Sequence, residues 1–393
     1  MLSSELDYFL PPQLIAQTPV EPRDSARLLH FQTRNSQISH HIVRDLPALL
    51  REGDLLVFND TRVLRARLLG HKTTGGKVEA LLLKERALNR WEALVKPSAR
   101  LQVGARVTFS RENCRVEAVL RARLGQTWEI EFLTPENRDS HDVRDLLSEL
   151  GEVPLPPYIH EKSDEERYQT TFSRRETLRV EGRGALDSAA APTAGLHFTP
   201  ELFENLRARG VDWTFVTLAV GAGTFAPVKT EKLEDHAMHG EEFWISDEAA
   251  AKINAQKRRG GRVVAVGTTA VRTLESMAIE TQNHGEKNSD AIRSGNGETF
   301  LFLRPGSPFR VVDALFTNFH LPKSTLLALV AAFIEARTRS EESAQPNGEN
   351  GSISVATPNS SQTEGFATVR ALYAEAIAQE YRFFSFGDAM LVE

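Results

Sequence analysis

The chain has 393 residues, 41% of them hydrophobic and 25% charged, with a net charge of −6. That length exceeds what one hydrophobic core fills, so two domains are expected, and no apolar run approaches the roughly 18 residues that a membrane-spanning helix needs. A single cysteine, Cys114, excludes an internal disulfide and a thiolate metal cluster and agrees with a reducing compartment. Glu5 and Asp7 stand where a secretory leader would carry basic and then apolar residues, so the expected location is the cytoplasm.

Residues 54–69 read as two strands about a polar turn, Asn59-Asp60-Thr61. Short alternating stretches follow at 78–85, 91–97, 105–110, 114–124 and 127–133, spaced as in a sandwich or barrel. Residues 61–150 are therefore read as a small all-β domain set between a first part of the large domain, 1–60, and its second part, 151–393. Residues 57–125 hold 15 Lys or Arg against 6 Asp or Glu, a balance of +9 that leaves −15 for the rest. A phosphate-facing surface and a solvated sheet face both fit such a segment. Pro154, Pro156 and Pro157 make a stiff connector where the pattern changes.

Beyond it, strand and helix alternate. A helix over 199–210, with Thr199 as N-cap, Pro200 first and Gly210 as stop, precedes a strand at 212–220. A helix over 246–260 precedes a strand at 262–266 and, after Gly267-Thr268-Thr269, a helix over 270–279. A strand at 311–316 leads to a helix over 324–336, apolar nearly all round and so expected to be buried. The alternation predicts a largely parallel sheet, with ligands gathering beyond the carboxyl ends of its strands. Residues 281–298 and 338–365 are polar, poor in large apolar side chains, and expected to be mobile surface insertions.

Several loops could carry chemistry. Gly221 to Ala226 mimics a dinucleotide-binding fingerprint, but Pro227 would break the helix such a site requires. What remains is a glycine turn that brings backbone amides close to a ligand, or a tight bend. His236, His239 and Glu241 could hold a metal, act as acid or base, or hydrogen-bond structurally, in a loop or strand setting. Thr193, Gly195 and His197 precede the Thr199 cap, and Asn318, His320 and Lys323 precede a cap at Ser324 or Thr325. Gly267, Thr268 and Thr269 form a third strand–loop–helix junction, suited to a ribose, carboxylate or phosphate. Together they describe one polar crevice. The lack of a Gly-Lys-Thr phosphate loop, a Gly-x-Ser-x-Gly elbow and a His-Glu-x-x-His helix leaves nucleotide hydrolases, esterases and zinc proteases without support.

In order, LPPQLIAQTPVEPRDSARLL (10–29), VFNDTRV (57–63), LGEVPLPPYI (150–159), PTAGLHF (192–198), VGAGTF (220–225), HAMHGE (236–241), GTTAVRTLE (267–275), TNFHLPKST (317–325) and YRFFSFGDAML (381–391) closely resemble the S-adenosylmethionine:tRNA ribosyltransferase-isomerase family. The resemblance implies an α/β fold: a large α/β barrel-like domain with an inserted small all-β barrel. It implies transfer and isomerisation of the ribosyl part of S-adenosylmethionine onto 7-aminomethyl-7-deazaguanine at the wobble position of tRNA with a GUN anticodon. Epoxyqueuosine forms, and adenine and methionine leave. S-adenosylmethionine is then a substrate, no cofactor or metal is implied, and a monomer without membrane contact is expected.

On these motifs, His197, His239, Glu241 and His320 are the catalytic candidates, with proton abstraction assigned to His239 or Glu241 and the other two protonating adenine or positioning the amine. Thr193, Gly195, Gly221, Gly223, Thr224, Gly267, Thr268, Thr269 and Asn318 are the S-adenosylmethionine candidates. Arg62, Arg65 and Arg67 would meet the tRNA, and Arg382 and Asp388 would read the base edge unless their segment is a sheet-closing strand. Phe198, Phe225, Phe319 and Phe384 could face the sulfonium or simply pack the core. The chain departs from the family pattern at Ala219, where histidine is usual, and at Ala270, where serine is common. A transferase acting on another RNA or amine and a non-catalytic tRNA-binding protein are the alternatives.

Overall fold

Alternating and continuous apolar runs decide which faces are covered, and the computed structural model shows both kinds over residues 1–99, 101–133, 142–160, 165–174, 177–180, 184–221, 227–283, 290–344 and 364–393. Strands β1 (Arg27–Gln32) and β2 (Gln37–Ile42) form a hairpin, followed by a one-turn helix α1 (Leu46–Leu49) and strand β3 (Leu55–Asn59). Next come β4 (Arg67–Lys72), β5 (Lys77–Ala87), β6 (Arg90–Lys96), β7 (Arg106–Arg111), β8 (Cys114–Leu124) and β9 (Thr127–Leu133). These six close into a barrel in the order β4-β5-β6-β9-β8-β7. Val78, Ala80 and Leu82 of β5, Trp91, Ala93 and Val95 of β6 and Trp128, Ile130 and Phe132 of β9 alternate inward, and closure leaves no edge for stray pairing. Helix α2 (Val143–Leu150) adds Val143, Leu146, Leu147 and Leu150 to the same core.

The turn at Asn59 differs from expectation. The second strand starts at Arg67, and Asn59-Asp60-Thr61 is buried. Asn59 Nδ2 donates to the Leu218 carbonyl at 3.1 Å while its Oδ1 accepts from the Leu218 and Thr61 amides at 3.1 Å each. The Thr61 hydroxyl meets that of Ser188 at 2.7 Å. A polar triplet that reads as a solvent turn is thus a junction, because its side chains satisfy backbone groups of a strand 159 residues away.

After a two-residue ribbon, β10 (Arg179–Val180) and β11 (Gly184–Ala185), the chain forms α3 (Pro200–Ala208), β12 (Asp212–Leu218), β13 (Glu241–Ile245), α4 (Asp247–Arg258), β14 (Val263–Val266), α5 (Thr268–Asn283), β15 (Gly295–Thr299), β16 (Ala314–Asn318), α6 (Thr325–Ala344), α7 (Glu364–Ala378) and β17 (Ala389–Val392). With the first three strands they build a nine-stranded sheet, β15-β13-β12-β3-β14-β16-β17-β1-β2. The expected parallel character holds at the centre, β12-β3-β14-β16, and between β1 and β17; the other pairings are antiparallel. β3 is buried throughout: Leu55 and Val57 join one core with residues of α4, α5 and α6, and Leu56 and Phe58 join another with residues of α3.

The Thr199 hydroxyl caps α3, accepting from the Leu202 amide at 3.2 Å. Thr199→Ala is expected to lower unfolding free energy by about 1 kcal/mol in urea titrations, and Thr199→Ser to restore most of it.

The expected insertions are shorter than read. Asn254 Oδ1 accepts from the Ala291 and Ile292 amides at 2.9 and 3.1 Å, Ile292 is buried, and β15 pairs with β13. α6 likewise continues past residue 338 to Ala344. One polar side chain and an edge pairing order a segment that composition marks as unable to order itself. Residues 284–289 and 345–363 lie outside the described residues. Among the described residues no helix is long and apolar enough to cross a membrane.

Candidate active site

The carboxyl ends of the central parallel strands converge. β3 ends in Asn59, β14 in Val266 before Gly267, β16 in Asn318, and β12 runs on to Val220 and Gly221. Gly267, at φ +90°, makes the turn into α5 and donates its N–H to the Phe316 carbonyl at 2.8 Å. The loops predicted to share a crevice do share one: Thr193, Gly267, Thr268, Thr269, Asn318 and His320 line a space of about 40 Å³. Two of its polar atoms, Thr269 Oγ1 and Asn318 Oδ1, are buried without a hydrogen-bond partner. Gly195 is not among the lining residues; a Cβ there would sit 2.7 Å from the Phe172 ring, so packing requires a glycine at this position. Gly223 and Thr224 lie outside the described residues, as does Phe225.

His197 and His320 are buried and neutral. Asn318 Nδ2 donates to His197 Nε2 at 3.2 Å, and Thr317 Oγ1 lies 2.9 Å from His320 Nε2. Burial lowers His197 to about 4, reinforced by the Arg23 and Arg382 charges and opposed by a hydrogen bond to the Arg23 backbone; burial alone lowers His320 to about 3. Neither is an imidazolium near pH 7, so the expected role of protonating adenine gives way to neutral hydrogen bonding. Below about pH 6.5 the unfolded chain takes up protons that both folded imidazoles refuse, so this contribution to stability is intact above that pH and declines toward the folded values. At pH 5.5 each site is expected to cost about 1 kcal/mol relative to pH 7.5. Asp60, Glu275 and Asp388 are pushed up, in each case chiefly by burial, and act in the opposite direction. The check is therefore the difference between wild type and His320→Gln in urea titrations at the two pH values, the variant being the flatter.

A larger cavity of about 930 Å³ lies between the barrel and the sheet, on the other side of Val220. Leu82, Lys84, Glu85, Arg86 and Trp91 form its barrel wall; Gly221, His236, His239, Gly240, Glu241 and Glu242 form its sheet wall. Lys84 Nζ reaches Glu242 Oε1 at 2.8 Å and ties the walls together. Glu241 is buried, with one carboxylate oxygen accepting the Gly221 amide at 3.0 Å and the other paired with Arg272. Both oxygens of Glu241, one of the two residues expected as the base, are thus engaged, and the side chain positions the Gly221 turn. His239 is exposed on the cavity wall, and His236, half-buried against Phe302, is lowered by burial and by His239. Ala219 also lines the cavity, its amide donating to the Glu242 carbonyl at 2.8 Å.

The proposed tRNA residues are dispersed. Arg62 is exposed, Arg65 donates to the Ser148 carbonyl at 2.6 Å, and Arg67 pairs with Glu79 at 3.2 Å and Glu152 at 3.5 Å. Much of the barrel's positive charge is likewise set against carboxylates, as in Arg90–Glu131 at 3.1 Å and Arg115–Glu117 at 3.2 Å; such exposed pairs are weak and leave the arginines open to phosphates. Asp388 is buried, its two oxygens accepting the Arg27 and Arg382 amides at 2.9 and 2.7 Å, while the Arg382 guanidinium holds the Thr18 carbonyl. Both fasten β17 inside the sheet and cannot read a base edge. Phe198, Phe319 and Phe384 are buried among other aromatic rings, which is the core-packing alternative. Arg272 escaped sequence reasoning because its partner lies 31 residues away on another element. Among the described residues no group of three or more His, Cys, Asp or Glu is placed to hold a metal ion.

The chain matches the family described as queuosine biosynthesis protein over residues 3–343 and 360–392. It is 46% identical to the S-adenosylmethionine:tRNA ribosyltransferase-isomerase of Symbiobacterium thermophilum, covering 100% of both chains, and 46% identical to that of Thermus thermophilus, covering 98% of both. A crystal structure of S-adenosylmethionine tRNA ribosyltransferase from Thermotoga maritima shares 32% identity over 99% of this chain and 100% of that one, at a TM-score of 0.49. A family match spanning both the barrel and the sheet, with relatives of equal length and close sequence, identifies this chain as a member of the queuosine biosynthesis protein family.

Proposed function

We propose that the chain transfers and isomerises the ribosyl part of S-adenosylmethionine onto 7-aminomethyl-7-deazaguanine at the wobble position of a tRNA with a GUN anticodon, forming epoxyqueuosine and releasing adenine and methionine. It acts as a cytoplasmic monomer and requires no metal or cofactor. The observation that carries this reading is the placement, on either side of Val220, of a polar crevice at the strand ends and a cavity of about 930 Å³ walled by the basic barrel. That volume falls in the range of sites enclosing a small molecule. The unpartnered Thr269 hydroxyl and Asn318 carbonyl suit the polar end of S-adenosylmethionine, with the α5 N-terminus beside them favouring its carboxylate.

A sulfonium acidifies the neighbouring C5′ protons, and removing one starts the rearrangement. His239 takes that proton, since Glu241 is held by Arg272 and Gly221. Neutral His197 and His320 orient Asn318 and the crevice.

The test incubates chelator-treated protein with S-adenosylmethionine and tRNA bearing the aminomethyl-deazaguanine, then quantifies adenine and the modified nucleoside by mass spectrometry. Adenine release matched by epoxyqueuosine, and absent with unmodified tRNA, is expected. Saturable tRNA binding with no adenine release would point to a binding protein instead, and turnover on another amine to a different transferase.

A further inference from the structure

We infer that Glu85 and Trp91, at the mouth of the barrel, read the hydrogen-bonding edge of the nucleobase that enters the large cavity. The inference rests on the function proposed above and names the residues that recognise its tRNA substrate. Glu85 on β5 and Trp91 on β6 are directly opposed in the antiparallel register, so their side chains share one face of the barrel wall. Both line the cavity of about 930 Å³. Glu85 is 9% exposed and Trp91 2% exposed.

Arg144 of α2 holds the pair in place. Its Nε donates to Glu85 Oε2 at 2.9 Å, its guanidinium lies 4.7 Å over the Trp91 ring, and it also pairs with Asp187. Arg179 stands 3.7 Å from the same Glu85 oxygen. Trp91 Nε1 and Glu85 Oε1 are nevertheless buried with no hydrogen-bond partner, one a donor and the other an acceptor. Native folds seldom leave such groups unpaired, and here one of each sense belongs to two cross-strand neighbours that line the same cavity. A planar heterocycle offering an N–H beside a ring acceptor would satisfy both at once. A guanine-type edge does so, its N–H groups meeting the carboxylate and its carbonyl accepting from the indole. The adenine of S-adenosylmethionine also carries such a pair, and comparing the variants' kcat/KM for the tRNA with their KM for S-adenosylmethionine tells the two apart.

Trp91→Phe keeps the ring under Arg144 and removes the N–H; Glu85→Gln keeps the shape and removes the charge. Each is expected to lower kcat/KM for the tRNA by about 10–100-fold while KM for S-adenosylmethionine stays within about twofold. With tRNA carrying an analogue that lacks the exocyclic amine, wild type is expected to lose a similar factor and Glu85→Gln little more, because both changes delete one contact. Additive losses, unchanged kcat/KM in both variants, or a shift confined to KM for S-adenosylmethionine would overturn the assignment. If Glu85→Gln fails to fold, Trp91→Phe against an analogue lacking the ring carbonyl decides by the same coupling. No turnover by wild type overturns the proposed function and this inference with it, whereas turnover with unaltered variants overturns the inference alone.

Discussion

His239→Gln is expected to lower kcat by about 10²–10⁴-fold, with adenine and epoxyqueuosine falling together and the melting temperature nearly unchanged. The side chain is exposed on the wall of the large cavity, so its replacement opens no core and breaks no buried pair. The proposed role as base rests on its place on the cavity wall and on the other candidates being engaged: Glu241 by Arg272 and the Gly221 amide, His197 by Asn318, and His320 beside Thr317. Isothermal titration with S-adenosylmethionine should give an affinity within about threefold of wild type, since proton abstraction uses an interaction realised only in the transition state. Retained turnover in His239→Gln, with loss in His236→Gln, would move the role to His236, which lines the same cavity.

Arg272→Ala is expected to cost about 3–5 kcal/mol of unfolding free energy and most of the activity. Arg272 and Glu241 are both buried, and the arginine also donates from Nε to the Leu301 carbonyl at 3.2 Å and from its other terminal nitrogen to the Thr299 carbonyl at 3.4 Å. Truncation leaves a carboxylate uncompensated inside the protein and two carbonyls without their donors. The double variant Arg272→Ala, Glu241→Gln is expected to recover part of the stability, because the isolated charge is gone. Activity should stay low, because the side chain at 241, which accepts the Gly221 amide, loses the Arg272 guanidinium that fixes its orientation. Urea titrations of the three proteins, with adenine release measured alongside, check both parts. Equal stability of the single and double variants would show that the buried charge is not the source of the loss.

The barrel was legible because its strands alternate one residue at a time: the stretches read at 114–124 and 127–133 coincide with β8 and β9. The same locality made the Thr199 cap and the buried α6 readable. Convergence of the Thr193, Thr268 and Asn318 loops was also anticipated, since parallel strands deliver their following loops to one end of the sheet. Local patterning failed where a distant partner decides. Asn59-Asp60-Thr61 carries turn chemistry yet binds β12, Asp388 looks free to read a base yet accepts two backbone amides, and Asn254 orders the segment at Ala291 and Ile292.

Residue order alone therefore determined the α/β class, the small β-barrel, the helix caps and the set of loops that meet, because each depends on periodicities and propensities within about ten residues. Tertiary structure alone decided which of those polar residues are engaged. Arg272 neutralises Glu241, burial keeps His197 and His320 uncharged, and Arg144 presents Glu85 and Trp91 with one polar atom each unpartnered. The physical reason is that charge state and hydrogen-bonding capacity depend on desolvation and on partners far along the chain, which spacing in the sequence does not encode.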